Sequence, residues 1–190
     1  TGVGGGQNAY ALEGIFGRLN YDYKGRYLFE ASARYDGTSR FSKGSRWGWF
    51  PSASAGWRIS EEPFFKPARN VIDNLKLRAS YGSLGNQNVS SYYTSMRLVS
   101  INDFSAYSFG EGSAMAKYST LSSPVASNLT WEKAQQWDLG FDLSMLNNRL
   151  SFTADGYVRN TKDMLTDGIE LPAVYGASVP QMNTADLRSE

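Results

Sequence analysis

Apolar and polar residues alternate with a period of two along several stretches of the chain, and this pattern predicts β-strands. The clearest stretch is 136–159, where the alternation continues on both sides of Asn147-Asn148. Asparagine tolerates the positive φ of a two-residue turn, so we expect a hairpin here. The predicted pairs are Met145 with Leu150, Leu143 with Phe152, and Trp137 with Val158. In this register the apolar residues of both strands share one face.

A second hairpin is predicted in 15–35, where the odd-numbered residues are the apolar ones in both strands. Keeping odd residues on one face requires a loop with an odd number of residues. We therefore expect a three-residue loop, Tyr23-Lys24-Gly25, with Gly25 in the left-handed region. The resulting pairs are Asp22 with Arg26, Arg18 with Glu30, and Leu19 with Phe29.

Two further strands are predicted, one over 51–60 with Pro51 at its start and one over 75–81. The connections between strands are then 37–49, 61–73 and 83–128, and 161–190 begins another. The predicted strands have about 9 to 11 residues, the length that crosses a bilayer at a tilt. Short connections alternate with longer ones, as expected of a barrel with short turns at one rim.

Every charged residue of the predicted strands falls on the polar face, which fits either a soluble sandwich or a membrane barrel. A basic residue that faces lipid lowers the stability of a barrel by about 2–4 kcal/mol. Aromatic residues gather where the predicted strands meet the turns, as in the two aromatic girdles of a membrane barrel. We expect an all-β, antiparallel, up-and-down transmembrane β-barrel segment of about six or more strands. Its lumen-facing residues are predicted to be Arg18, Glu30, Arg34, Arg58, Lys76, Arg78, Asp138, Asp142, Asp155 and Arg159.

The composition limits the kinds of functional site that the chain can contain. The 190-residue chain has a net charge of +1, which gives no indication of a nucleic-acid partner, and it contains neither His nor Cys. Nucleophile–histidine pairs and thiolate metal sites are therefore excluded within it. Asp138 and Asp142 lie about 13 Å apart along a strand, too far for paired acid–base catalysis. We expect no enzymatic activity, no metal and no cofactor.

Several motifs in the right order resemble a known family. They are Arg34-Tyr35-Asp36-Gly37-Thr38-Ser39-Arg40-Phe41, Trp49-Phe50-Pro51-Ser52, Gly56-Trp57-Arg58-Ile59-Ser60, Leu75-Lys76-Leu77-Arg78-Ala79-Ser80-Tyr81-Gly82, Gly85-Asn86 and Leu129-Thr130-Trp131-Glu132. Over about 10–188 the chain resembles the barrel of SusC/RagA-type TonB-linked outer-membrane transporters of Bacteroidota.

The resemblance implies a 22-stranded barrel with an N-terminal plug in the outer membrane of a Gram-negative cell. It implies import of oligosaccharides or peptides beneath a SusD-like surface lipoprotein, energised by TonB, with outer-membrane lipid around the wall. The interpretation for 1–190 is a partial barrel domain, the C-terminal part, in which the plug and the TonB-contacting segment are absent. Six strands do not close a barrel of that size, so neighbouring strands are expected at both edges.

The connection 83–128 is the predicted place of ligand contact if the short turns are periplasmic. Its candidates are Tyr92, Tyr93, Tyr107 and Tyr118, which either stack on sugar rings, pack against a lid protein, or pack the loop against itself. Two alternatives to the transporter segment stay open. One is a soluble β-sandwich module that binds carbohydrate, and the other is a barrel fragment held as a client of an assembly or secretion machine.

Overall fold

A computed structural model gives the structure of the chain and describes residues 5–89, 92–94, 96–108, 115–122, 124–126, 129–168, 170, 172–176 and 179–190, with 103–108, 115–117 and 175 described by backbone alone. The strands are β1 (Leu12–Tyr23), β2 (Tyr27–Thr38), β3 (Trp47–Arg58), β4 (Ile72–Asn86), β5 (Val99–Ser108), β6 (Met115–Leu121), β7 (Glu132–Met145), β8 (Leu150–Asp167) and β9 (Gln181–Ser189). Short 3-10 helices cover Ile59–Glu61, Pro63–Asn70 and Ala173–Tyr175.

Seven of these strands form one antiparallel sheet in the order β1-β2-β3-β4-β7-β8-β9. Strands β5 and β6 form a separate two-stranded sheet, inserted in sequence between β4 and β7. The large sheet is open, with β1 and β9 at its two edges. This is the expected topology of an up-and-down barrel segment.

The ladders place the apolar residues of six successive strands on one face. Leu19 lies opposite Ala31, Trp57 opposite Leu77, and Leu77 opposite Phe141, so odd-numbered residues face odd-numbered residues from β1 to β7. Between β7 and β8 the pairing joins odd to even residues, as the sequence predicts. The predicted common apolar face is therefore confirmed across β1, β2, β3, β4, β7 and β8 at these rungs.

The hairpin between β7 and β8 has the predicted register. The pairs are Met145 with Leu150, Leu143 with Phe152, and Trp137 with Val158. Asn147 and Asn148 have φ of 56° and 58°, and the Arg149 N–H donates to the Leu146 carbonyl oxygen at 3.3 Å. Both central residues thus adopt the left-handed conformation that a two-residue turn requires, and Leu146 before them also has a positive φ of 58°.

The predicted register of β1 with β2 is wrong by two residues. The loop is Lys24–Arg26, closed by the Arg26 N–H on the Tyr23 carbonyl oxygen at 3.0 Å, and Tyr23 faces Tyr27. Lys24 takes a positive φ of 56° as well as Gly25, which moves the turn one residue along the chain. The loop has three residues, as predicted, so the same residues share each face of the sheet although the cross-strand pairs differ.

The corrected pairs of β1 and β2 are Asp22 with Leu28, Arg18 with Ser32, and Leu19 with Ala31. Arg18 nevertheless reaches Glu30 diagonally, with 3.6 Å between Nε and Oε1.

Strand β3 begins earlier than predicted, at Trp47, and the connection before it is 39–46 instead of 37–49. Pro51 lies within β3 opposite Ala33. The ladder between β3 and β4 begins only at Ser52, so the missing N–H falls where β3 is paired on one side. At its other end β3 stops at Arg58, and Ile59 belongs to a 3-10 helix.

Three other predicted boundaries are also corrected. Strand β4 is longer than 75–81 at both ends, and 83–128 contains its end together with β5 and β6. Strand β8 extends to Asp167, and 181–189 forms β9 beside it, so 161–190 is mostly strand. In β9 and at the end of β8 polar residues interrupt the alternation, which removes the period-two signal on which the prediction depends.

The sheet has two distinct rims. The short-turn end carries the turns 24–26 and 146–149 together with 59–71, and the long-loop end carries 39–46, 87–131 and 168–180. The described residues include no helix long and apolar enough to cross a membrane.

The apolar face is open to the surroundings of the chain, since Leu19, Phe29, Trp57, Leu77 and Phe152 are all exposed. A sandwich would bury this face against a second sheet. The described residues therefore do not form the soluble β-sandwich of the alternative interpretation.

Candidate functional site

The polar face carries a network of charges centred on Arg78. Its Nε lies 3.0 Å from an Asp142 carboxylate oxygen, and its Nη2 donates to Asp155 at 2.9 Å. The Thr153 hydroxyl donates to Asp142 at 3.2 Å. These side chains come from β4, β7 and β8, so the network ties three neighbouring strands together on one side of the sheet.

The ladders place all ten residues predicted to face the lumen on this polar face. That the face lines a pore stays a prediction. Arg58 and Lys76 are directly opposite one another, so two positive charges meet near the short-turn end. Like charges in a cross-strand pair are unfavourable, and on its other side Lys76 lies opposite the acidic residue Asp142.

A hollow of about 510 Å³ lies beside the Arg78 network. Its floor consists of small residues, Ser54, Gly56 and Ser80, and its walls include Glu30 and Asp138. The volume is in the range of small-molecule sites, and a lining that combines these carboxylates with Lys76 and Arg78 suits a polar, hydrated ligand.

The Lys76 side chain lies across the hollow's floor. Its Cε is 3.2 Å from the position that a Cβ at Gly56 would take. The absence of a side chain at Gly56 therefore makes room for the lysine.

The buried apolar cluster lies at the long-loop end. It comprises Phe41, Phe50, Val89, Leu129 and Trp131, of which Phe41 is completely buried and Trp131 is 4% exposed. The Trp131 ring meets Phe41 and Phe50 edge to face, with centroid separations of 5.8 and 5.3 Å. These geometries are the favourable ones for aromatic pairs.

Two further contacts hold this cluster in place. The Trp131 Nε1 donates to the Arg46 carbonyl oxygen at 3.0 Å, which fastens the loop 39–46 to the start of β7. The Phe50 ring occupies the space where a Cβ at Gly48 or Gly85 would lie. The cluster thus joins residues from three of the motifs that the sequence shows separately, and its Phe50 ring packs against Gly85 of a fourth.

The tyrosines proposed as ligand contacts have different surroundings. Tyr92 stacks on Tyr10 with ring centroids 5.5 Å apart, and the Arg40 guanidinium lies 4.2 Å from the Tyr10 centroid and 5.2 Å from that of Tyr92. This group is not among the predicted sites, although Arg40 in the Arg34–Phe41 motif is a signal for it.

The remaining tyrosines are spread over the long connection. Tyr93 follows Tyr92 in an irregular stretch, and Tyr118 lies on β6 of the small sheet; both rings are exposed, and both make contacts within the protein. The Tyr107 side chain lies outside the described residues. The described residues thus do not bring these tyrosines together in one site. A role for each tyrosine in ligand contact stays a prediction.

A buried carboxylate, Glu62, lies at the short-turn end. Its Oε1 accepts from Trp57 Nε1 at 3.2 Å, it accepts from the Tyr27 hydroxyl, and Arg26 lies 3.8 Å away. The hydrogen bonds from Tyr27 and then Trp57 lower the pKa of Glu62 below its ordinary value. Glu62 therefore binds the connection 59–71 to the ends of β2 and β3 in its charged form.

Comparison with known proteins agrees with this architecture. Residues 3–188 match the family model described as TonB dependent receptor-like, beta-barrel. The chain is 43% identical over 173 residues to the TonB-dependent receptor SusC of Bacteroides thetaiotaomicron, covering 87% of this chain and 17% of SusC. It is 36% identical over 183 residues to TonB-dependent receptor P3 of Formosa agariphila, covering 96% of this chain and 18% of that receptor.

Solved structures show the same similarity. The structure of the RagAB peptide transporter matches with a TM-score of 0.78 and 31% identity, over 94% of this chain and 19% of the matched chain. The chain spans less than a fifth of the length of these relatives. With the family model covering nearly all of it, the chain belongs to the TonB-dependent receptor-like β-barrel family.

Proposed function

We propose that this chain is part of the wall of an outer-membrane transporter that imports oligosaccharides or peptides with energy from TonB. One observation carries the proposal: within 15–35, 51–58, 75–81 and 136–159, which belong to six strands, the charged strand residues share one face and most of the large apolar residues share the other. Glu13, Lys133 and Lys162 depart from this pattern and lie toward the long-loop end. In a barrel the first face meets a water-filled lumen and the second meets lipid. An open sheet edge is not tolerated in lipid, so β1 and β9 require neighbouring strands from the rest of a longer protein.

The polar hollow supports a solute path along this wall. Ser54, Gly56 and Ser80 leave room above the sheet, while Glu30, Asp138 and Lys76 offer acceptors and donors for hydroxyl or amide groups. We propose that the ten charged residues of this face line the path. The solved relative is described as a peptide transporter, which supports peptides as one of the two solute classes. The role involves no catalysis.

A SusD-like lipoprotein is the proposed lid on the long-loop side. The hairpin β5–β6 projects apolar residues there, with Val99 opposite Leu121 and Ile101 two residues further along. All three side chains are exposed. Exposed apolar residues on a connection between wall strands suit contact with a partner protein, and we propose Tyr92, Tyr93, Tyr107 and Tyr118 as contacts with the solute or this lid.

The test is uptake of labelled oligosaccharides and peptides by cells that express the full-length protein, with and without TonB. A Ser54→Trp variant fills the hollow, and its matched control, Ala55→Trp, places the same ring on the apolar face of the same strand. We expect Ser54→Trp to slow uptake of the imported solute several-fold and Ala55→Trp to leave it near the unmodified rate.

Three outcomes would contradict the proposal. Uptake that is independent of TonB would contradict the energy source, and equal effects of the two tryptophans would contradict the assignment of faces. Recovery of the protein only as a client of another machine, edge to edge with foreign strands, would favour the alternative of a bound barrel fragment.

A further inference from the structure

The connection 59–71 contacts the apolar side of the sheet through Glu62. Tyr27 and Trp57 are directly opposite one another on the apolar face, with their rings stacked at 6.5 Å and 11°. Both side chains hydrogen-bond to Glu62 of this connection. Since the two rings belong to the apolar face, the connection reaches the outer rim of the wall at Glu62. Ser60 instead donates to Asn74 of the polar face at 3.4 Å.

Short internal bonds fix the shape of this connection. The Glu62 N–H donates to the Ile59 carbonyl oxygen at 3.0 Å, and Arg69 Nε donates to the Ser60 carbonyl oxygen at 2.9 Å. Glu62 and Ser60 are buried. Residues that project from the connection are therefore held in a defined position relative to the strands.

The projecting residues combine apolar side chains with unpaired cations. Phe64 is 66% exposed, and Val71 and Leu146 are exposed next to each other, where the Leu146 N–H donates to the Val71 carbonyl oxygen at 2.9 Å. Lys66 and Arg149 are exposed, and neither has an ion-pair partner among the described residues. Exposing Phe64, Val71 and Leu146 together to water is unfavourable.

We propose that 63–71, together with Leu146, is an interfacial anchor that binds the phospholipid leaflet at the short-turn end. Phe64, Val71 and Leu146 contact the upper part of the acyl chains, and Lys66 and Arg149 contact headgroup phosphates. Two observations favour lipid over a protein partner. The patch continues the aromatic level formed by Tyr27 and Trp57. Its exposed cations Lys66 and Arg149 have no ion-pair partner among the described residues, and the neighbouring Asp73 carboxylate is half-buried and accepts from the Asn148 N–H at 2.9 Å. This inference depends on the membrane location proposed above.

The test measures the depth of nitroxide labels in the full-length protein, freed of other cysteines and reconstituted in nanodiscs of phosphatidylethanolamine and phosphatidylglycerol. Labels are attached at Phe64→Cys, at Leu139→Cys on the apolar face, and at Lys43→Cys, an exposed position at the long-loop end. The readout is collision with oxygen, which enriches in lipid, against collision with a water-soluble nickel complex. Phe64 is exposed, so its replacement leaves the packing of the chain intact.

We expect the label at 64 to collide with oxygen several-fold more, relative to nickel, than the label at 43, at a depth between those of 43 and 139. Adding Lys66→Glu should move this label toward water when the phosphatidylglycerol fraction is raised. If 139 reports lipid while 64 matches 43, the anchor is wrong and the transporter proposal stands. If 139 also reports water, the membrane location itself is wrong, and an insensitive Lys66→Glu variant contradicts the phosphate contact.

Discussion

Two apolar regions of this molecule have opposite surroundings. The cluster around Trp131 at the long-loop end is buried by the protein itself, whereas Leu139 on the apolar face of the sheet is 68% exposed. Both regions contain large apolar side chains on or beside the same strand, β7. The comparison shows that apolar character alone does not mark the core of a barrel segment: one region is covered by loops, and the other requires an apolar solvent.

Truncation inside the buried cluster should have the largest effect. We expect Trp131→Ala to lower the free energy of unfolding of the full-length protein by about 3–5 kcal/mol, because it leaves a cavity between Phe41 and Phe50 and frees the Arg46 carbonyl oxygen. Denaturant unfolding of the reconstituted protein measures this change. Trp49→Ala, which removes an exposed ring from the apolar face, is the matched control, and an equal loss there would contradict the distinction between the regions.

A charge on the apolar face should have the next largest effect. We expect Leu139→Arg to destabilise the folded protein in a bilayer by about 2–4 kcal/mol, since the guanidinium would face hydrocarbon. Asp138→Arg places the same side chain one residue away on the polar face and should change stability little. The measurement is unfolding from lipid vesicles, and a reversed order of the two variants would show that the faces are exchanged.

A methyl group added beside Phe50 should have a smaller effect. Gly85→Ala has no room for its Cβ against the Phe50 ring, so we expect a loss of about 1–3 kcal/mol in the free energy of unfolding. Gly17→Ala adds the same methyl group where nothing lies within 4 Å, and it should be nearly neutral. Thermal unfolding of both variants in detergent tests the pair; similar midpoints would mean that the ring moves aside freely.

The smallest effect concerns pH. The folded-state pKa of Glu62 is lowered by Tyr27 and Trp57, so its contribution to stability is present above the unfolded pKa of about 4.3 and is lost as the pH falls through the lower folded value. Glu62→Gln should remove this part of the acid sensitivity while leaving the neutral-pH fold in place. Unfolding midpoints measured from pH 6 downward, at about half-unit steps, compare the two proteins. Parallel curves would contradict the role of the charge.

The strand faces could be predicted from the sequence because alternation is a local property. The turn at Asn147-Asn148 was predicted with its register, since each Asn supplies the positive φ that the turn requires. At the first hairpin the predicted parity is right and the predicted register is wrong, because no local signal indicates that Lys24 also takes a positive φ. Which residues share a face follows from the alternation pattern, whereas the exact cross-strand pairs depend on the backbone conformation of the turn.

The candidate site was predictable only in part. The charges of the polar face were identified by their parity, but the Arg78 network depends on how β4, β7 and β8 align, which is a long-range property. The packing of Tyr92 on Tyr10 and Arg40 joins parts of the chain that are distant in sequence. No local pattern encodes such contacts.

The sequence by itself determined which residues share a face and which family the motifs resemble, because side chains alternate strictly along a strand. Only the tertiary structure decided that Phe41, Phe50, Val89, Leu129 and Trp131 meet in one buried cluster. It also decided that Glu62 of 59–71 contacts Tyr27 and Trp57 of the apolar face. The physical reason is that burial depends on which distant segments of the chain pack over a residue. The alternation of side chains along a strand carries no information about that long-range packing.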